Sequence, residues 1–423
     1  MRMIRTKLIQ AGVALGFLLT MGAGHAVEPA AWGGAPVTVQ MTEDGPVLAT
    51  ASGMTLYTWT QEDSSPGKAL CANKRYTEGR DPFSNVVPFP NAEHRRTCID
   101  KWRPLLADAK AAPQGPWSLV KRDDGALQWA YERHPLYSSI KDRAPGDVNG
   151  QGYTRLGFIG GWRPAFAPLG FPPGVKLVRQ PEGLVLATGD GRPLFLRHGP
   201  QRICDGCADE LEPLRAAAVA HVQGDWSVLE IGNGRRQFAY KGRALFVSPL
   251  GMEGRELGAG WAPAVWRRSA GHPTEFSTRF TVIGDVYTTK EGMALYVFSC
   301  GSFTGDALSC DDPGDAAAYW ALHCGKAEVC AKLWRLVRAP KAARPVGDWS
   351  VVDVAVPLYG DTTGSTYLPA EAPSRVKAWA WRGRPLYTFA DDGEPGQVLG
   401  HGRENATGSG FNAIIVPGSE VQR

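Results

Sequence analysis

Residues 225–248, DWSVLEIGNGRRQFAYKGRALFVS, decide the fold. Gly232-Asn233-Gly234 and Lys241-Gly242-Arg243 divide this stretch into three short alternating runs. Gly and Asn accept the positive φ angles that tight hairpin turns demand, so the stretch reads as a three-stranded antiparallel meander. The same pattern appears over residues 116–139, PWSLVKRDDGALQWAYERHPLYSS, and in pieces over 348–354 and 376–389. Trp117, Trp226 and Trp349 anchor the three copies. Trp129, Phe238 and Trp379 fall on equivalent positions, and Tyr131, Tyr240 and Trp381 lie two residues further on. That spacing of two puts both aromatics on one face of a strand.

Upstream of each meander runs a second pattern: VLATASGMTLYTW (47–59), LVLATGDGRPLFLR (184–197) and VYTTKEGMALYVF (286–298). Each is two β-rich runs around a Gly-containing turn, which is a hairpin signal. Six Leu-aromatic steps result, two for each of three units: Leu56/Tyr57, Leu136/Tyr137, Leu194/Phe195, Leu245/Phe246, Leu295/Tyr296 and Leu386/Tyr387. Neighbours on a strand face opposite sides, so each Leu can fill a core while its aromatic partner packs on, or emerges from, the other face. The aromatics therefore serve either sheet packing or a stacking platform for a sugar or another flat ligand. Tyr57, Trp59, Tyr137, Tyr296, Phe298, Tyr387 and Phe389 are the candidate binding residues on the second reading. Pro and Gly cluster at residues 163–174 and 269–276, as linkers do. The expected fold is all-β: three related antiparallel units, sandwich-like or barrel-like and stapled by disulfides, over residues 27–170, 171–272 and 273–423.

The first 26 residues begin with Arg2, Arg5 and Lys7, continue through an apolar run around AGVALGFLL, and end in small residues at Gly24 and Ala26. This pattern predicts an export signal cut after Ala26, because the apolar run is shorter than the ~20 residues a membrane anchor needs. The formal charge of +4 then falls to about +1, which offers no electrostatic footprint for nucleic acid. No Cys near the cut would carry a lipid, and no second long apolar run follows. A periplasmic or secreted location is expected, in which eight Cys favour disulfides over thiols.

The best single motif is GRPLYTFADDGEPG, residues 383–396, in which Tyr387, Phe389 and Asp392 hold the pattern Y-x-[FWY]-x-x-D. With the paired Leu-Tyr hairpins, CIDKWRPLLA after Cys98 and HPLYSSIKDRAPGDVNGQG (134–152), the chain resembles the bacterial secreted repeats named for that motif and found in many predicted lipoproteins. The resemblance spans roughly residues 45–420 in three units. It departs from the pattern where Glu62 takes the acidic place, where Tyr137 lacks the second aromatic, and where Phe195 and Phe246 stand without an acid. The family's molecular role is unassigned, so the resemblance implies organisation and location and leaves the chemistry open. Asp392 joins the candidate binding residues through the motif. A Cys pair preceding W-x-P-L in the family pattern implies Cys71–Cys98, Cys204–Cys207 and Cys324–Cys330, leaving Cys300 with Cys310. With pairing kept inside units, three connectivities remain, all differing in the third unit. The Cys71–Cys98 ring would be worth about 3–4 kcal/mol by chain entropy, and the tight Cys204–Cys207 ring about 2 kcal/mol.

The leading expectation is a non-enzymatic, exported cell-envelope protein that holds an unknown protein partner or small ligand through aromatic sheet faces and inserted loops, without cofactor or metal. The loop AVPLYGDTTGSTYLPAEAPSR, residues 355–375, is the clearest insertion. One alternative is a periplasmic thiol–disulfide redox protein using the C-x-x-C of Cys204 and Cys207. Another is an enzyme whose site lies between units. No H-E-x-x-H, G-x-S-x-G or G-x-x-x-x-G-K-[ST] motif occurs, so no catalytic residue is assigned. Asp63, Asp142 and Asp392 could hold a cation through carboxylate oxygens or cap turns beside Gly and Pro.

Overall fold

The structure is a computed structural model that describes residues 34–74, 78–80, 86–88, 97–152, 161–197, 211–220, 222–249, 260–299, 327–356, 362–363, 366–367, 374–404 and 410–420. The alternating runs form strands and the Gly-bearing breaks form turns. The architecture is almost entirely antiparallel β, in several sheets of which none closes into a barrel. Among the described residues helix is confined to short pieces such as Cys98–Lys101 and Ala327–Leu333.

One three-part arrangement occurs three times along the chain. A leading hairpin comes first: Val37–Thr42 with Gly45–Thr50, Val175–Gln180 with Gly183–Thr188, and Phe276–Thr281 with Gly284–Thr289. A four-stranded central sheet follows, with the order Trp162–Pro164, Leu56–Trp59, Tyr137–Ser139, Trp102–Pro104 in the first set. The second set has Trp261–Pro263, Leu194–Arg197, Phe246–Val247, Glu212–Pro213 in the same order. The third places Gly410–Ala413, Tyr296–Ser299, Arg384–Phe389 and Trp334–Leu336 in the same order, within a seven-stranded sheet that also takes in its meander. The third part is the meander over each anchoring Trp.

The meander turns match their sequence. Asn233 and Gly234 adopt φ of 52° and 69°, and Lys241 and Gly242 adopt 50° and 73°. Lys241-Gly242 is a two-residue turn between Tyr240 and Arg243, which requires positive φ at both residues, whereas Asn233-Gly234 lies with Gly232, at 88°, in the five-residue connection between Glu230 and Arg236. Glu132 and Arg133 take the same left-handed positions without glycine, at 47° and 67°.

Each Leu-aromatic step divides its side chains between two layers. Leu56 and Leu136 pack with Trp117, Trp129, Val37 and Leu48, between the meander and the leading hairpin. Tyr57 and Tyr137 pack on the opposite face with Trp59, Trp102, Trp162 and Cys71. The third set repeats the division, with Leu295 and Leu386 beside Trp349, Trp379 and Trp381, and Tyr296 and Tyr387 beside Trp334, Phe389 and Phe411. In the second set Leu194 and Leu245 share a core with Trp226 and Phe238, while Phe195, Phe246 and Trp261 are only half-buried.

The disulfide between Cys71 and Cys98 fastens the segment that leads into Trp102–Pro104. The other expected bridges, Cys204–Cys207, Cys300–Cys310 and Cys324–Cys330, involve side chains outside the described residues.

The three sets meet at a buried ionic cluster. Arg382, in a meander turn of the third set, has a fully buried side chain and binds both carboxylate oxygens of Asp44 at 2.7 and 2.9 Å. It also donates to Asp348 at 3.0 Å and to Gln151 at 2.7 Å. Arg179 of the second leading hairpin joins the same two acids at 2.7 and 2.8 Å. Burial alone would raise the Asp44 carboxyl, but Arg382 and Arg179 outweigh it and hold the group at about 2. Removing one partner from such a cluster leaves uncompensated charge away from water. Arg382→Ala is therefore expected to destabilise the chain by about 3–5 kcal/mol, read from the urea midpoint of the full chain.

Candidate functional site

The aromatic layer of the central sheet is where the recurrent motif residues gather. Tyr57 and Tyr137 are direct cross-strand partners, as are Phe195 and Phe246, and Tyr296 and Tyr387. Side chains opposite one another across an antiparallel pair point to the same face and touch. The two aromatics of each set therefore lie side by side, framed by the flanking strands. Trp102 and Trp162 stack with centroids 3.8 Å apart and planes 7° apart, above Tyr57 and Tyr137. Trp334 and Phe411 stack at 3.7 Å and 5° in the equivalent place of the third set.

Acids then cross between the two halves of the first set. Glu62 lies five residues after Tyr57, and Asp142 five after Tyr137. Each carboxylate bonds the other half's phenol: Tyr57 donates to Asp142 at 2.9 Å, and Tyr137 donates to Glu62 at 2.8 Å. The exchange follows from antiparallel pairing, because a chain leaving one strand passes over the ring carried by its neighbour. Asp142 also accepts the Asn149 amide at 2.9 Å, and the Tyr57 oxygen accepts the Gly150 amide at 3.2 Å. The carboxylate and phenol thus tie the loop 142–150 onto the sheet. Glu62 ties its own side down by accepting the Leu70 amide at 2.8 Å, next to the disulfide at Cys71.

The third set carries the same clasp once. Tyr296 donates to Asp392 at 2.7 Å, Asp392 accepts the Leu399 amide at 2.9 Å, and the Gly400 amide reaches the Tyr296 oxygen at 3.4 Å. Gly150 and Gly400 sit under the stacked ring pairs, where a Cβ would come within 2.6 Å of Trp102 and of Trp334. That close approach admits only glycine at either position.

Burial fixes the protonation of these groups. Desolvation raises the phenols of Tyr57, Tyr137 and Tyr296, so they stay protonated donors. It likewise lifts Asp142 well above the usual carboxylate range and raises Asp392. Glu62 rises from 4.5 to about 7, burial outweighing the bond from Tyr137 and the amide bonds.

The sequence-derived candidates all lie in this layer. Tyr57, Tyr137 and Tyr296 have no exposed surface, and Trp59, Phe298, Tyr387, Phe389 and Asp392 keep at most 7 %. Trp162 stacks on Trp59 at 5.2 Å, Phe411 packs on Phe298 at 5.0 Å and on Tyr387 at 5.6 Å, and Trp334 lies against Phe389 at 4.4 Å. The ring faces that a stacking ligand would use are filled by other rings. A ligand would meet them only if the flanking strands moved. The half-buried Phe195, Phe246 and Trp261 of the second set differ in this respect.

The acids weighed for a cation are likewise engaged by donors. Arg163 Nη2 donates to both carboxylate oxygens of Asp63, at 2.9 and 3.0 Å, and His134 Nε2 lies 3.2 Å from Oδ1. Among the described residues no group of three or more His, Cys, Asp or Glu is placed to hold a metal ion. The C-x-x-C of Cys204 and Cys207 lies outside the described residues.

Sequence reasoning missed that the motif acid serves the tyrosine of the opposite half. One signal was present: in the second set both aromatics are Phe, and the positions five residues on are Pro200 and Gly251. Hydroxyl and carboxylate are missing together, as expected when each one's burial depends on the other.

Residues 118–165 match the family model described as a secreted repeat of unknown function. The matched stretch contains Tyr137, Asp142, Asn149, Gly150 and Trp162. No curated protein and no solved structure matches the chain.

Two outcomes follow from the clasp. Tyr57→Phe strips a donor from buried Asp142 and should destabilise by about 1–3 kcal/mol. In a double-mutant cycle with Asp142→Leu, the paired substitution should cost less than the two single changes combined, because each single change leaves the other group stranded. For Glu62 the folded chain keeps a proton up to about pH 7 that an ordinary glutamate loses at 4.5. Between those values the folded state binds more protons than the unfolded one, so stability falls as pH rises through the window. Urea midpoints taken from pH 4.5 to 7 should show that fall, and Glu62→Gln should make it shallower.

Proposed function

We propose that the chain is an exported, non-enzymatic protein of the cell envelope, periplasmic or secreted, whose repeat units hold a protein partner or a small ligand through inserted loops. The units of this reading are residues 27–170, 171–272 and 273–423, after a leader of residues 1–26. The description of the matched family as secreted supports export. The internal use of the tyrosines and acids supports a scaffold role for the sheets, since these groups bond each other and the loop amides.

The observation that carries the reading is the length of one ladder. The first and second meanders begin with five paired residues, Trp117–Lys121 on Leu127–Tyr131 and Trp226–Glu230 on Arg236–Tyr240. The third extends to eight, from Trp349 opposite Trp381 to Val356 opposite Ser374. The three added pairs lengthen the ladder at the end where the insertion 357–373 joins it. An inserted loop held on regular sheet is the usual position for recognition.

The test replaces residues 357–373 by a two-residue Asn-Gly turn joining Val356 to Ser374, which the ladder geometry accepts. Full chain and variant are used to capture partners from envelope extract. Loss of the captured set in a variant with an unchanged unfolding midpoint is the expected result. An identical captured set from both proteins would remove the loop from the binding reading.

A further inference from the structure

The leading hairpins meet their surroundings in a repeated way. The tip of the first, Thr42-Glu43-Asp44-Gly45, rests on the second set. Arg267, in that set's closing strand Val265–Arg268, donates to the Thr42 carbonyl at 2.6 Å, and Ser269 and the Ala270 amide bond Glu43. The tip of the second, Gln180-Pro181-Glu182-Gly183, rests by backbone approach on the closing strand of the third set, Ile415–Glu420. There a Cβ on Gly418 would meet the Arg179 carbonyl at 2.5 Å and the Gln180 Cα at 2.7 Å. Both closing strands pair with the second strand of their own leading hairpin, Arg268 opposite Gly183 and Glu420 opposite Gly284, with a longer irregularity in the third set. Each tip therefore docks on the closing strand of the following set.

The third tip, Thr281-Val282-Ile283-Gly284, docks on no closing strand among the described residues. It is built like the first: Thr281 bonds the Gly284 carbonyl at 2.8 Å as Thr42 bonds that of Gly45 at 2.7 Å. Its chemistry is different. Val282 and Ile283 replace Glu43 and Asp44, and Phe280 and Val282 are 74 % and 71 % exposed. The counterpart lies in the first set, where among the described residues no hairpin tip covers the closing segment. Phe166, bridged to Val47 as Val265 pairs with Val185 and Ile415 with Val286, is 48 % exposed, and Pro168 two residues on is exposed as well.

The two uncovered surfaces match in polarity. The acidic first tip meets Arg179 and Arg267, whereas the apolar third tip would meet Phe166 and Pro168. We propose that the Phe280–Val282 tip of one chain docks on the Phe166–Pro168 segment of a second copy, continuing between molecules the contact that is made twice within one. Such an interface is heterologous, so it leaves a free tip and a free segment at the ends of the pair and extends head to tail unless a ring closes. The proposal is independent of what the 357–373 loop holds.

Sedimentation velocity of the full chain over rising concentration should show species heavier than the monomer. Phe280→Ser with Val282→Ser, both on exposed positions, should abolish them while leaving the unfolding midpoint unchanged. In an equal mixture of light and isotope-labelled chains, a benzophenone side chain at position 282 should cross-link to residues 166–169 in mixed-isotope pairs. A monomer at every concentration, association that survives the double substitution, or cross-links confined to one chain or to other segments would each overturn the proposal.

Discussion

A strand turns successive side chains to opposite faces, and two such strands laid antiparallel bring like residues together on each face. Leu56-Tyr57 against Leu136-Tyr137 therefore makes two layers at once: a leucine layer facing the meander and the leading hairpin, and a tyrosine layer facing the stacked indoles. The rest of the first and third sets is arranged around that division. The meander closes one face with Trp117 and Trp129, and the flanking strands close the other with Trp102 and Trp162. A one-residue slip would exchange the two layers throughout.

The tyrosine layer brings polar atoms inside, which is tolerable only when they bond. The reciprocal arrangement solves this for both halves, since each phenol finds its acceptor in the acid that leaves the neighbouring strand. The same carboxylates then accept loop amides, so one buried group fixes both the sheet and the loop above it. The second set, with Phe195 and Phe246, has no phenol to satisfy. Its aromatic layer is correspondingly looser, with Leu211 where the other sets place Trp102 and Trp334.

Between sets the bonding changes character. Asp44, Arg179, Asp348 and Arg382 come from three separate sets and share charge in a buried cluster. Charges so desolvated stabilise only with near-complete pairing, which makes the cluster more a specifier of relative placement than a source of stability. It also distinguishes the first hairpin tip, which is acidic and covered, from the third, which is apolar and exposed.

Periodicity and turn chemistry by themselves determined the strands, the meander turns at Asn233-Gly234 and Lys241-Gly242, and the opposed facing of each Leu and its aromatic neighbour. These depend on local sterics and on the period of two, both readable along a chain. The expected Cys71–Cys98 bridge came from resemblance and is present. Tertiary structure alone decided that the aromatic face is a second core, that Glu62 and Asp142 serve each other's tyrosines, and that Arg382 joins Asp44 across the chain. Those facts rest on contacts between residues 75 to 338 positions apart. A linear pattern shows what a side chain can bond, but which partner reaches it is set by how separate sheets pack.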